Sequence, residues 1–169
     1  LLHTCCAPCA SASIERLKSL NYDVALFFAN SNIDTEEEYN KRLAEVQKLA
    51  KHDNVELIAL PYDHNEWREN VAKNLENEPE KGNRCNKCFR YNLKKAEIYA
   101  KNNKFDKFST SLTISPHKIS ENIFAANDSE MFLKENFKKH DGFKRSLQRS
   151  TELKLYGQNY CGCEFSKSS

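Results

Sequence analysis

The chain has 169 residues, of which 30% are charged and 39% apolar, with a formal net charge of +2; that is enough to bury a core. No run approaches ~18 consecutive apolar residues, so no membrane span is expected. So small a net charge does not by itself argue for a nucleic-acid partner.

The opening Leu1-Leu2-His3-Thr4 lacks a charged n-region and an apolar h-region. No secretory signal is therefore expected, and the protein is placed in the reducing cytoplasm, free of disulfides. Leu1-Leu2-His3 ends a short strand that runs into a cysteine-rich turn. Ile14, Leu17 and Leu20 then carry helical spacing over 11–20. The continuous apolar run 24–29 predicts a strand covered on both faces. Thr35 and Glu38 form a capping box that opens a helix to about Lys51, with Tyr39, Leu43, Val46 and Ala50 on one side.

A second buried strand is expected over 55–60, stopped by Pro61, and a helix near 65–75 with Trp67 in the core. Cys85-x-x-Cys88 opens the next helix, whose inner face carries Phe89, Leu93, Ala96 and Ala100. A fourth strand is expected over 105–112, a helix from Pro116 to about Ala126, a short fifth strand over 131–133, and a last helix over 146–155. Residues 134–149 hold Lys134, Lys138, Lys139, Lys144, Arg145 and Arg149 against Glu135 and Asp141, with Phe137 and Phe143 interleaved. This stretch fits a phosphate-binding surface or a solvated helix face equally well. Without repeat or linker, 1–169 forms one domain. The alternation predicts an α/β fold, a parallel sheet with helices on both faces. Ligands then bind at the carboxyl-end rim of the strands.

All seven cysteines fall in three clusters: Cys5, Cys6 and Cys9; Cys85 and Cys88; Cys161 and Cys163. Thiols two residues apart can share a metal, because a tight turn or a helix start aims both sulfurs at one point. A helix N-terminus also favours the thiolate. Four thiolates suit a 4Fe–4S cluster or a structural zinc. Three more describe a second, open metal site; the plainer alternative is one zinc with the remaining cysteines buried. None of the four glycines (Gly82, Gly142, Gly157, Gly162) follows the first strand. A loop that cradles nucleotide phosphates is thereby excluded.

His3-x-Cys5-Cys6-Ala7-Pro8-Cys9, Asn30-x-Asn32-Ile33, Glu38-Tyr39-x-x-Arg42, Arg84-Cys85-x-x-Cys88-Phe89, Thr110-x-Leu112-x-x-Ser115-Pro116-His117-Lys118 and Gln158-Asn159-Tyr160-Cys161-Gly162-Cys163-x-Phe165-Ser166 occur in this order. Together they resemble the cobalamin-independent epoxyqueuosine reductase family, QueH. Ser31 departs from the expected Asn-Pro-Asn, and Tyr91-Asn92 replaces a more basic pair; neither departure is expected to touch a thiol.

The resemblance implies an oxidoreductase of queuosine biosynthesis with a Rossmann-like (HUP-type) α/β fold and a cysteine-rich metal site at the C-terminal rim of the strands. It would carry a 4Fe–4S cluster beside a separately held metal, taken as iron by analogy with the family. It would act on tRNA that carries epoxyqueuosine at the wobble position, and remove the epoxide oxygen as water with electrons from an external donor. Cys85 and Cys88 are assigned to the cluster with one thiol from each other group, Cys6 and Cys163, which leaves Cys5, Cys9 and Cys161 for the lone metal. His3, Asp63, His117 and Tyr160 are the candidate proton donors. Asn30, Asn32, Arg84, Lys118, Lys144 and Arg145 are candidates for substrate or phosphate contact, and Tyr62, Phe89 and Tyr160 for a base pocket. Two other functions remain in view: an iron–sulfur-dependent tRNA sulfurtransferase, which would need an ATP loop after the first strand, and a zinc-stabilised RNA-binding module.

Overall fold

In the computed structural model, which describes residues 1–167, four short strands pair in parallel in the order β3-β2-β1-β4. They are β1 (Leu2–His3), β2 (Ala25–Phe28), β3 (Glu56–Ala59) and β4 (Ser109–Thr110). Leu2 stands opposite Leu26 on one side and Ser109 on the other, and Phe27 opposite Ile58. The helices are α1 (Ala7–Ser19), α2 (Glu36–Asp53), α3 (His64–Trp67), α4 (Asn83–Asn102), α5 (Ser120–Phe124) and α6 (Gly142–Glu152).

The two-residue period of β2 builds both layers. Leu26 and Phe28 join Ile14 and Leu17 of α1 and Val46 and Leu49 of α2. Phe27 points the other way, into Leu93, Ala96 and Ala100 of α4 and Ile123 of α5. All three strand side chains are fully buried, each contributing about 1.5–3 kcal/mol. The α6 helix lies antiparallel on the outside of α1: Arg145 pairs with Glu15, whereas Arg149 reaches back to the Ser11 carbonyl.

Several elements differ from the sequence expectation. The first helix begins at Ala7, because Pro8 suits a first turn, so Cys6 is its N-cap and Cys9 lies inside it. The strand expected over 55–60 to be covered on both faces is an edge strand, with Glu56 and Ala59 exposed. The fourth strand is cut to two residues because the Thr110 hydroxyl accepts from Leu112 N–H and turns the chain into a 3₁₀ turn, Ser111–Ile114. The expected fifth strand is reduced to an isolated parallel bridge between Phe108 and Phe132. Pro116 sits in a turn rather than a helix, and α5 starts only at Ser120. The helix expected near 65–75 is one α turn followed by a π turn, Arg68–Ala72. The last helix runs earlier than expected, from Gly142 to Glu152.

β1 sits between β2 and β4, so the connections leaving its neighbourhood diverge at the carboxyl ends of β1 and β4. That divergence is the crevice where open parallel sheets bind ligands. The α1 start, with Cys5, Cys6 and Cys9, and the turn carrying His117 and Lys118 both follow directly from these strands.

α6 is held to this frame by a buried ion pair, Arg149 Nη2 to Asp53 Oδ1 at 2.6 Å, with the side chains 5% and 8% exposed. Burial would raise the Asp53 carboxyl, but Arg149 and His52 outweigh it and hold it below its ordinary value. A carboxylate depressed in the folded state stabilises above its unfolded pKa of about 3.9 and loses that contribution as pH falls through the folded value. Arg149→Met should therefore lower the unfolding free energy by about 3–5 kcal/mol near neutral pH. In denaturant titrations the wild-type advantage over the variant should shrink below about pH 4.

Candidate metal and active site

The first group of sulfurs is set by the start of α1. Cys6 caps the helix in extended conformation, and Cys9 lies in its first turn. The sulfurs of Cys5, Cys6 and Cys9 all lie within 4.8 Å of one another, with Cys5 and Cys6 3.9 Å apart. Two thiolates on one tetrahedral ion at about 2.3 Å stand about 3.8 Å apart, so this triad suits a single ion. Hydrogen bonds from the Cys6 and Cys9 thiols pull the Cys5 thiol well below its ordinary pKa. The same bonds to Cys5 push Cys6 up to about 12 and raise Cys9. Ligation of a metal would remove the thiol protons that the triad still carries.

Cys85 and Cys88, three residues apart, lie in the opening turns of α4. Cys85 Sγ accepts from the Lys81 backbone N–H at 3.3 Å. Cys88 Sγ accepts from the Trp67 indole at 3.3 Å and from the Asn92 amide at 3.4 Å. Desolvation raises both thiols and outweighs these donors. These two, with Cys161 and Cys163, line one cavity of about 60 Å³, whose wall also includes Asn32, Arg84, His117 and Lys118. Among the described residues, no three of these four cysteines approach one another as the α1 triad does. Wider spacing is what thiolates need when each binds a different iron of a 4Fe–4S cluster. A single zinc would need them closer.

Between the two groups lies Lys118. Desolvation would discharge its ammonium, but Cys161, Cys5 and Cys9 outweigh it and raise its pKa. All three cysteine clusters therefore converge, and they divide into three sulfurs and four. In this division Cys6 stands with Cys5 and Cys9, whereas Cys161 stands with Cys85, Cys88 and Cys163.

The C-terminal pair is brought in by α2. The guanidinium of Arg42, buried and paired with Glu38 at 2.6 Å, donates to the carbonyls of Cys161 at 3.0 Å and Tyr160 at 3.5 Å. Asp34 N–H donates to Gly162 O at 3.0 Å, the Tyr160 hydroxyl donates to Asp34, and His64 and Arg68 hold Glu164. Gly162 has φ +144°, and a Cβ there would meet Asn32 Nδ2 at 3.0 Å. Only glycine suits both constraints.

The other sequence candidates fall in different places. His117 is exposed and lines the cavity beside Lys118. His3 is buried in β1, Nδ1 against Thr110 Oγ1 at 2.9 Å, and burial lowers its pKa. Asp63 is exposed and accepts from Glu66 N–H as the α3 cap. Burial and Asp34 raise the Tyr160 phenol. Asn32 is buried with its Oδ1 unpartnered among the described residues. Asn30 donates to the Thr4 carbonyl at 2.8 Å, joining β1 to β2. Of the aromatic candidates, Phe89 lines the cavity, whereas Tyr62 donates to the Ile33 carbonyl.

The expected phosphate ligands are mostly engaged elsewhere. Arg84 is buried and donates to the carbonyls of Leu75, Glu76 and Glu78 beneath the Phe165 ring. Arg145 forms two 2.8 Å bonds to Glu15, and Lys144 lies on the same helix, next to the C-terminal half of α1 and so away from the cysteines. Three contributors escaped the sequence reading. The signal for Arg42 was its spacing from Glu38, one helical turn with opposite charge. Nothing in sequence announces that Trp67 or Asn92 contacts Cys88; the substituted pair Tyr91-Asn92 does touch a thiol, contrary to expectation.

A family model described as epoxyqueuosine reductase QueH matches residues 1–169. Proteins named epoxyqueuosine reductase QueH from Streptococcus pyogenes serotype M1 and Acinetobacter baylyi are 38% and 39% identical to this chain. Each alignment covers 98% of this chain, with 69% and 79% of the relatives' own lengths. A Thermotoga maritima protein of the same name is 33% identical over 98% of this chain and 88% of its own length.

Arg42→Lys keeps the charge but loses the planar fork. Leaving the two carbonyls unsatisfied should cost about 1–3 kcal/mol locally. Hydrogen exchange of the amides over 158–166 should quicken roughly tenfold or more, while those of β2 stay protected. Equal exchange in both proteins would show that the fork does not hold the tail.

Proposed function

We propose, on the premise that the chain belongs to the epoxyqueuosine reductase QueH family of oxidoreductases, that it reduces epoxyqueuosine in tRNA to queuosine with a 4Fe–4S cluster and a separate metal ion. The observation that carries this reading is the division of seven converging thiols into a tight three and a wider four. Cys85, Cys88, Cys161 and Cys163 would hold the cluster, and Cys5, Cys6 and Cys9 the separate ion. This revises the sequence assignment by exchanging Cys6 and Cys161. Bound there, the two groups supply single electrons and Lewis acidity toward the epoxide oxygen.

The reaction breaks both C–O bonds of the epoxide, forms one C=C bond and releases the oxygen as water, consuming two electrons and two protons. An external one-electron donor supplies the electrons. His117, on the cavity wall and open to solvent, is the proposed proton donor; of the four candidates it alone lines the cavity. Lys118 keeps a positive charge among the thiolates and so lowers the cost of concentrating negative charge there. Asn32 offers a buried, unpartnered carbonyl oxygen that can accept a hydrogen bond from the substrate. Ile119, 55% exposed beside His117 at the mouth, offers an apolar surface to the base. Lys81, exposed on the same rim, takes the phosphate role from Arg84, Lys144 and Arg145. Among the described residues no helix is long and apolar enough to cross a membrane.

Anaerobic reconstitution, followed by iron and sulfide assay and incubation with a strong reductant and an epoxyqueuosine-containing anticodon stem-loop, tests the reading. Iron should exceed sulfide per chain, and queuosine should form. Iron equal to sulfide would remove the separate ion, and a colourless zinc protein would remove the reduction chemistry. Cys88→Ser should lose the cluster absorbance. His117→Gln should retain cluster and separate metal yet turn over roughly 10²-fold or more slowly; full activity would exclude it as the proton donor.

A further inference from the structure

The sulfur of Cys88 receives two side-chain hydrogen bonds, from Trp67 Nε1 at 3.3 Å and Asn92 Nδ2 at 3.4 Å. Both donors are buried, Trp67 1% and Asn92 3% exposed. An indole has a single N–H, and here it is directed at sulfur rather than at a carbonyl oxygen. The orientation of that N–H is held from the side. The His64 ring stacks on Trp67 with centroids 5.3 Å apart at 17°, Phe165 lies 6.5 Å away, and the π turn begins at the next residue. Asn92 is one helical turn beyond Cys88 on α4, which directs its amide back along the helix to the sulfur. Neither bond is needed to satisfy a thiol, which is a weak acceptor and is left unpaired at little cost. The donors suit a thiolate.

We propose that Trp67 and Asn92 are positioning residues that set the reduction potential of the cluster held by Cys88; this rests on the cluster reading above. Reduction takes up one electron from an external reductant, with no bond to the protein made or broken. The added charge spreads in part onto the ligating sulfurs, so an N–H donor stabilises the reduced form more than the oxidised one. In a buried site this difference is not screened by water. Two donors on one sulfur raise the potential, which brings the cluster within reach of a weaker reductant. They also place the effect on one of the four ligands, on the α3–α4 side of the cavity.

The test uses the full chain, reconstituted anaerobically, as wild type, Trp67→Phe, Asn92→Leu and the double variant. Asn92→Leu keeps approximate shape, Trp67→Phe keeps an aromatic ring in a smaller volume, and both remove the N–H. Iron and sulfide are assayed first, and the cluster is then titrated with dithionite and mediators under paramagnetic resonance detection. Each single variant should retain wild-type iron and sulfide. Its reduced-to-oxidised ratio at the wild-type midpoint should fall about tenfold, a lowering of about 59 mV for one electron, and the double variant should fall further. Intact clusters with unmoved midpoints in both single variants, or midpoints that rise, overturn the inference and leave the cluster reading standing. A wild-type chain that takes up no sulfide overturns the cluster reading and this inference with it. Should Trp67→Phe fail to assemble a cluster, Asn92→Leu decides by the same shift.

Discussion

Seven thiols meet at one rim of a small sheet, and each would become an anion on binding a metal. Crowded negative charge is therefore what this architecture has to manage, because a buried thiolate beside another is raised by both desolvation and repulsion. The compensation comes from several sources. Lys118 brings an ammonium group beside Cys161, Cys5 and Cys9, and the negative charge those sulfurs would carry as ligands raises its pKa against desolvation. Two clusters open helices, so the starts of α1 and α4 direct the positive ends of their dipoles at the site. Backbone and side-chain N–H groups reach Cys85 and Cys88. Cations, dipoles and donors are thus built into the scaffold before any metal arrives.

The same rim explains the use of the C-terminal segment. Cys161 and Cys163 lie on a stretch outside regular secondary structure, which could not hold two ligands by itself. It is held instead by side chains already fixed in the frame: Arg42 on α2, Asp34 at the end of the β2–α2 loop, and His64 and Arg68 beyond β3. Arg42 can do this because it is itself paired with Glu38, so its buried charge is not orphaned. The aromatic series Tyr39, Tyr62, His64, Trp67 and Phe165 runs beneath the segment and joins it to the α4 cysteines.

Charged residues show where sequence and structure part. Arg84 and Arg145 stand in stretches that suggest phosphate binding, yet one is consumed by three loop carbonyls and the other by Glu15. A free cation and a structural one are the same letter in sequence. What separates them is whether an acceptor lies within reach after folding, and those acceptors come from other segments. Trp67 illustrates the converse. Its burial was legible from its helical setting, but its N–H finds Cys88 only because a π turn and α4 pack together. The strands shortened for a similar reason: Thr110 turns its hydroxyl to the backbone and ends β4 two residues in, a local competition that apolar patterning does not register.

The sequence by itself determined the alternation of apolar runs that makes a parallel sheet, the Thr35 N-cap of α2, the helix that opens at Cys85-x-x-Cys88, and the three clusters of thiols; these depend on neighbours only a few residues apart. The tertiary structure decided that Cys6 stands with Cys5 and Cys9 and Cys161 with Cys85, Cys88 and Cys163, that Lys118 lies between them, and that Arg42, Trp67 and Asn92 serve the sulfurs. The reason is geometric: sulfur spacing between clusters and hydrogen-bond direction across segments from 21 residues apart (Trp67 to Cys88) to 119 (Arg42 to Cys161) follow from how helices pack on a sheet, and no local pattern encodes that packing.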